Sequence, residues 1–261
     1  MRRAGSAHLP RAAGPASPST RSERRFADRG LLAAAILASV LGAPALAQTP
    51  ESSGAFWPTA DLHLQLSSNL RALVFAESKT DQDFPYRQVD VGAGLGLQWW
   101  RIGKPHPINI DPDKENYLVT AAGYEYLQTI QSGKNTIENR IAVQATPRFR
   151  LAERLLLTDR NRVEFRWVNG DYSTRYRNLF AVEYNAEIHD FRLTPYASAE
   201  VFYDITTSTW TQEWYTAGFE VPYRHWLKVD LYYLRQNCPG CTPDHLNVIG
   251  LTVSVFVDAT R

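Results

Sequence analysis

Two groups of side chains in this 261-residue chain have the types and spacing for chemistry. The larger is ionic. Arg140, Arg148, Arg160, Arg162, Arg166, Arg175 and Arg177 recur at even spacings within three successive stretches, and Glu200, Asp204, Glu220 and Asp230 fall in the stretches that follow. Alternate residues of an extended strand share a face, so this pattern predicts a basic wall and an acidic wall. Around an open, hydrated lumen, opposed walls would set up a transverse field that orients and filters small polar solutes. In a narrow barrel the same charges would neutralise one another as a salt-bridged plug. The near-balance of signs favours the plug, and with it a low single-channel conductance.

The second group is Cys238-Pro239-Gly240-Cys241. A redox pair of this spacing needs its first thiol at a helix N-terminus, and nothing nearby reads as helix. Zinc needs about four ligands, and Asp244 with His245 complete the set poorly. A disulfide stapling a loop is the expectation, with a small stabilising effect because the loop is short. No metal, cofactor or catalytic set is expected. His63, His106, His189, His225 and His245 form no Ser-His signature, so a lipid hydrolase or acyltransferase is only a minor alternative.

Strands must position these groups. From residue 59 onward, stretches of about ten residues alternate apolar and polar and are separated by turn-rich segments. In the cleanest, Val89, Val91, Ala93, Leu95, Leu97 and Trp99 share one face, with Asp90, Gly92, Gly94, Gly96 and Gln98 on the other. A soluble lipocalin-like barrel would turn the apolar face inward; an outer-membrane barrel turns it to lipid. Dense charge on the polar face favours lipid. So do aromatic residues near strand ends (Trp99, Trp100, Tyr124, Tyr126, Trp210, Trp214, Tyr223, Trp226) and an alternation of short and longer connections. The long connection from Gly103 to Asn116 breaks that rhythm.

Leu62, Leu64, Leu66, Leu70, Ala72 and Val74 keep one phase through Ser67-Ser68-Asn69. That suits either one long strand or a hairpin with Asn69 in the left-handed conformation. Counting the hairpin gives eleven strands. Bacterial barrels usually close with even numbers, so the expectation is an all-β, antiparallel, up-and-down transmembrane barrel of about twelve strands, ten being the alternative. The twelfth would lie near Phe56.

The N-terminus reads as an export signal. Leu31 to Gly42 is apolar, too short to span a membrane as a helix; Arg24, Arg25 and Arg29 precede it, and Ala45-Leu46-Ala47 follows. Residues 1–47 are the expected signal peptide, residues 48–58 a periplasmic segment or a first strand, and residues 59–261 the barrel. The remaining chain holds 21 basic and 25 acidic residues, a net −4 that argues against nucleic acid as a partner. The partners expected are outer-membrane lipid, the barrel-assembly machinery during insertion, and a small polar solute.

Further sequence features lie within and between these stretches. They are Asp159-Arg160-Asn161-Arg162, Arg175-Tyr176-Arg177-Asn178, Thr194-Pro195-Tyr196 with Glu200-Val201-Phe202-Tyr203-Asp204, and Tyr232-Tyr233-Leu234-Arg235-Gln236-Asn237. His245, Asn247 and Gly250-Leu251 close the series, and Phe56-Trp57-Pro58 with Asp61 opens it. In order and spacing the chain resembles a bacterial outer-membrane family known only as domain of unknown function 2490. The resemblance implies a membrane barrel and no particular activity. The Cys pair and the terminal Asp258-Ala259-Thr260-Arg261, which leaves Phe256 five residues short of the end, depart from the pattern.

Overall fold

The computed structural model describes residues 54–260 except 82–85, 103–109, 132, 189–190, 240 and 242–243. The expected signal peptide lies outside the described residues. Among the described residues twelve strands follow in chain order: β1 (Gly54–Gln65), β2 (Leu70–Asp81), β3 (Tyr86–Arg101), β4 (Asn116–Gln131), β5 (Lys134–Ala152), β6 (Leu155–Val168), β7 (Asp171–Tyr184), β8 (Ala186–Ile188), β9 (Phe191–Asp204), β10 (Thr209–Arg224), β11 (Leu227–Asn237) and β12 (His245–Asp258).

Sequential antiparallel pairing carries the sheet from β1 to β7, on through β9, and round to β12. Eleven strands close the barrel. The three-residue β8 continues β7 beyond Asn185 and pairs with the start of β9. The expected twelfth strand near Phe56 is instead the upper half of β1. An odd wall count forces one parallel contact, and β1 pairs with β12 in parallel from Gly54↔Asn247 to Gln65↔Asp258. Gly54 and His245 therefore lie at one rim, here called the mouth, while Gln65 and Asp258 lie at the other.

The hairpin at residues 66–69 forms: the Leu66 amide donates to the Leu70 carbonyl at 2.9 Å. Asn69 does not adopt the left-handed conformation. The Ser67 hydroxyl accepts from the Leu70 amide at 3.2 Å, and this side-chain turn supplies the reversal instead. Between β6 and β7 the chain reverses through the two-residue turn Asn169-Gly170, with φ of 51° and 98°. That is the primed turn whose twist matches the flanking strands.

Burial is inverted relative to a soluble domain. Leu95 (53% exposed), Ile141 (45%) and Tyr233 (45%) face outward, whereas Glu164 (0%), Glu125 (5%) and Arg140 (6%) are enclosed. Inside, rings lie flat over glycines of the neighbouring strand. A Cβ on Gly250 would fall within 2.4 Å of the Tyr232 ring, and one on Gly92 within 2.7 Å of Phe75. The missing side chains make room for the rings against the wall and keep the lumen clear.

Candidate functional site

The lumen is built in two tiers. The mouth-side tier stands on β4 to β7 and β9. Arg140 donates to Glu125 at 2.7 Å and to Glu138 at 2.8–3.0 Å, and Arg166 donates to Glu138 at 2.7 and 2.9 Å. Arg162 is ion-paired with Glu125, and its Nε stands 2.9 Å from Glu164. Glu164 also accepts from Arg175 at 2.7 Å and from Arg177 at 2.9 Å. Glu200 accepts from Arg177 at 3.0 Å and from Arg160 at 2.8 Å. A buried guanidinium needs a charge partner and matched acceptors, and strand alternation supplies both from adjacent strands.

The second tier closes the opposite end. Asp111 to Asn116, within the long β3–β4 connection, turns into the lumen as a short 3-10 segment, Pro112–Glu115. Asp111 caps it by accepting from the Asp113 amide at 3.0 Å, with Pro at the first position. Arg71 of β2 donates to Asp111 at 2.7 Å and is paired with Asp113, and Gln98 donates to Asp113 at 2.7 Å. Arg148 of β5 donates to the Asp113 carbonyl at 3.1 Å. Lys114 reaches Glu183 of β7 at 2.5 Å and Glu220 of β10 at 2.7 Å, and Glu220 also accepts from Lys228 at 2.8 Å. The segment is thus pinned to opposite walls at once.

Its charges are tuned by these partners. Burial alone would lower the Lys114 ammonium, but the Glu183 and Glu220 carboxylates hold it above the ordinary lysine value of 10.5. Burial would raise Asp111, yet the Arg71 guanidinium, with Lys228 behind it, keeps that carboxyl well below the usual range. Burial and the neighbouring Asp111 push Asp113 up.

Above this plug lies a cavity of about 780 Å³, lined by Arg140, Arg160, Arg162, Arg166, Arg175 and Arg177 on one side and by Glu77, Lys79, Asp90 and Trp57 among others. Trp57 packs against Trp214 at a centroid distance of 5.5 Å, Trp214 against Phe202 at 4.7 Å, and Lys79 sits 4.6 Å over the Trp57 ring.

All seven expected arginines face the lumen, but the acids are distributed differently from a single opposing wall. Glu200 is bound into the arginine cluster. Glu220 belongs to the plug tier. Asp230 accepts from the Tyr196 hydroxyl at 3.0 Å, and Asp204 accepts from the Thr207 amide at the mouth rim. Glu125, Glu138 and Glu164 interleave with the arginines because a guanidinium buried among its own kind needs local counter-charge. Glu138 and Glu164 share the period-two face of Arg140 and Arg166, which was their readable signal. Lys114 itself had only the Asp-Pro-Asp cap signature at residues 111–113 beside it.

Other expectations resolve individually. Trp99, Trp100, Tyr124, Trp210 and Tyr223 are exposed on the outer face, but Trp214 and Trp57 sit inside. Trp226 packs over Val255 and Val257. Cys238 and Cys241 form a disulfide at the mouth. His63 stacks on Phe256 at 4.6 Å inside the seam, and His106 and His189 lie outside the described residues. Among the described residues no group of three or more His, Cys, Asp or Glu side chains is placed to hold a metal ion. A family model described as protein of unknown function (DUF2490) matches residues 55–247, about three quarters of the chain. No curated protein matches it.

Proposed function

Because this chain belongs to the DUF2490 family, whose description assigns no activity, its role rests on its own lumen, and we propose a narrow, plugged, porin-like outer-membrane barrel for small polar solutes. The observation that carries this reading is the inverted burial: apolar side chains outside, ion pairs within. From Val89 to Trp99 the outward apolar face of β3 runs about 33 Å along the strand. At the tilt usual for such barrels this corresponds to a band about 25 Å tall, the height of an outer-membrane hydrocarbon layer. The plug supports restricted passage, since its ion pairs tie opposite walls together beneath the vestibule. Export would begin with cleavage after Ala47, and insertion would use the barrel-assembly machinery with lipid as the surrounding partner.

Planar-bilayer recording tests the reading. The intact barrel is expected to give low conductance, and replacing residues 103–115 with a short Gly-Ser turn is expected to raise it severalfold. Large, stable openings of the unaltered protein would overturn the plugged lumen. The second reading is a structural or docking barrel, which the dead-end vestibule also suits. Under it, shortening the β3–β4 connection would leave solute flux into liposomes at background.

A further inference from the structure

The mouth-side tier holds more positive charge than a space-filling plug requires. In the strand register Arg140 lies directly opposite Arg166, and Arg162 directly opposite Arg177. Like charges in directly opposed positions destabilise a sheet, and buried ion clusters can often be replaced by apolar side chains without loss of stability. Filling the lumen would be served better by apolar side chains. Moreover, the cluster is not neutral: six guanidiniums (Arg140, Arg160, Arg162, Arg166, Arg175, Arg177) meet four carboxylates (Glu125, Glu138, Glu164, Glu200), leaving two positive charges in surplus. Those six groups carry roughly thirty N–H donors against about sixteen acceptor sites on the four carboxylates.

The surplus is concentrated where the cavity can reach it. Arg160 has the most open side chain of the cluster at 28%; among the described residues it makes one hydrogen bond, through Nη2 to Glu200, and its Nε has no partner. Arg162 follows two residues later on the same face of β6, so the two guanidiniums border one stretch of the cavity wall. The other charges lining the cavity belong to β2 and β3, where Glu77 is paired with Lys79 at 3.0 Å and Asp90 is buried. Guanidiniums with spare donors in a partly enclosed space recognise oxyanions through charge-assisted, often bidentate hydrogen bonds.

We propose that the vestibule wall around Arg160 and Arg162 binds the phosphate or carboxylate group of a small soluble solute. This rests on reading the lumen as a solute compartment and names the class of solute it takes.

Calorimetric titration of the folded barrel in detergent tests the site, using sodium phosphate and sodium citrate separately, with glucose as the uncharged control. Saturable binding of phosphate, citrate or both, and none of glucose, is expected; the anion bound more tightly distinguishes phosphate from carboxylate recognition. Arg160→Gln should weaken binding roughly tenfold or more, the effect of losing one charge-assisted hydrogen bond. Arg224→Gln, at the opposite rim, should leave it unchanged. Should Arg160→Gln fail to fold, Arg160→Lys carries the test: it keeps the charge, loses the planar fork, and should bind severalfold more weakly. Equal affinity in the Arg160 variants, or no saturable binding of either anion to the intact barrel, overturns the site. Because calorimetry needs no flux, large bilayer openings alongside intact phosphate binding would overturn the plugged lumen alone.

Discussion

At the scale of single residues, Glu164 holds the mouth-side tier together. It is fully enclosed and serves Arg175 and Arg177 by hydrogen bonds, with Arg162 and Arg140 at 2.9 and 3.6 Å. Glu164→Gln would leave these guanidiniums short of counter-charge and should cost roughly 3–5 kcal/mol. The temperature at which the folded band collapses on a denaturing gel would register the loss; no change would mean water compensates the arginines. The plug residues give a pH dependence. Asp111 is held below its ordinary value of 3.8, so its contribution is present above that pH and fades as pH falls through the depressed value. Lys114 is held above 10.5, so its contribution is complete below that pH and fades only as pH rises through the elevated value. Bilayer conductance should therefore stay low between these limits and rise in strong acid; a rise near neutral pH would contradict the anchoring role. The arginines were legible because period two exposes a face. Which carboxylate each one pairs with was not, because pairing depends on the register of neighbouring strands, which one sequence does not print.

At the scale of elements, β3 and β4 touch through glycine. Gly94 and Gly123 face each other in register, and a Cβ on Gly94 would meet the Ala122 carbonyl at 2.8 Å, whereas one on Gly96 would find nothing nearer than 3.8 Å. Gly94→Ala should destabilise the barrel by about 1–3 kcal/mol. Gly96→Ala should be neutral or stabilising by up to about 1 kcal/mol, since it removes only unfolded-chain freedom. Urea unfolding of the two variants side by side checks the contrast, and equal effects would argue against close approach as the cause. The strand faces were readable from alternation: in β3, Leu95, Leu97 and Trp99 are exposed while Asp90 and Gln98 are enclosed, the phase that the sequence carries. Trp214 was misplaced because an aromatic near a strand end resembles an interfacial residue. The even spacing that turns Glu220 inward turns Trp214 inward as well, and that parity was available. The plug was illegible for a different reason: residues 111–116 carry no periodicity, and their position is fixed by ion pairs to strands 40 to 106 residues away in the chain.

At the scale of the whole molecule, the number of staves decides how the wall shuts. Eleven antiparallel steps cannot return to their starting direction, and the parallel seam between β1 and β12 absorbs the mismatch. One consequence concerns topology in a lipid bilayer. An even-numbered barrel leaves both chain ends on the same side, whereas here Gly54 opens at the mouth rim and Asp258 at the plug rim. A membrane-embedded barrel of this shape must hold Gly54 and Asp258 on opposite sides of the bilayer. Impermeant labels on intact cells should therefore reach a reporter placed just before Gly54 or one placed after Asp258, never both. Whichever is labelled names the compartment into which the vestibule opens, and simultaneous labelling would rule out the parallel seam.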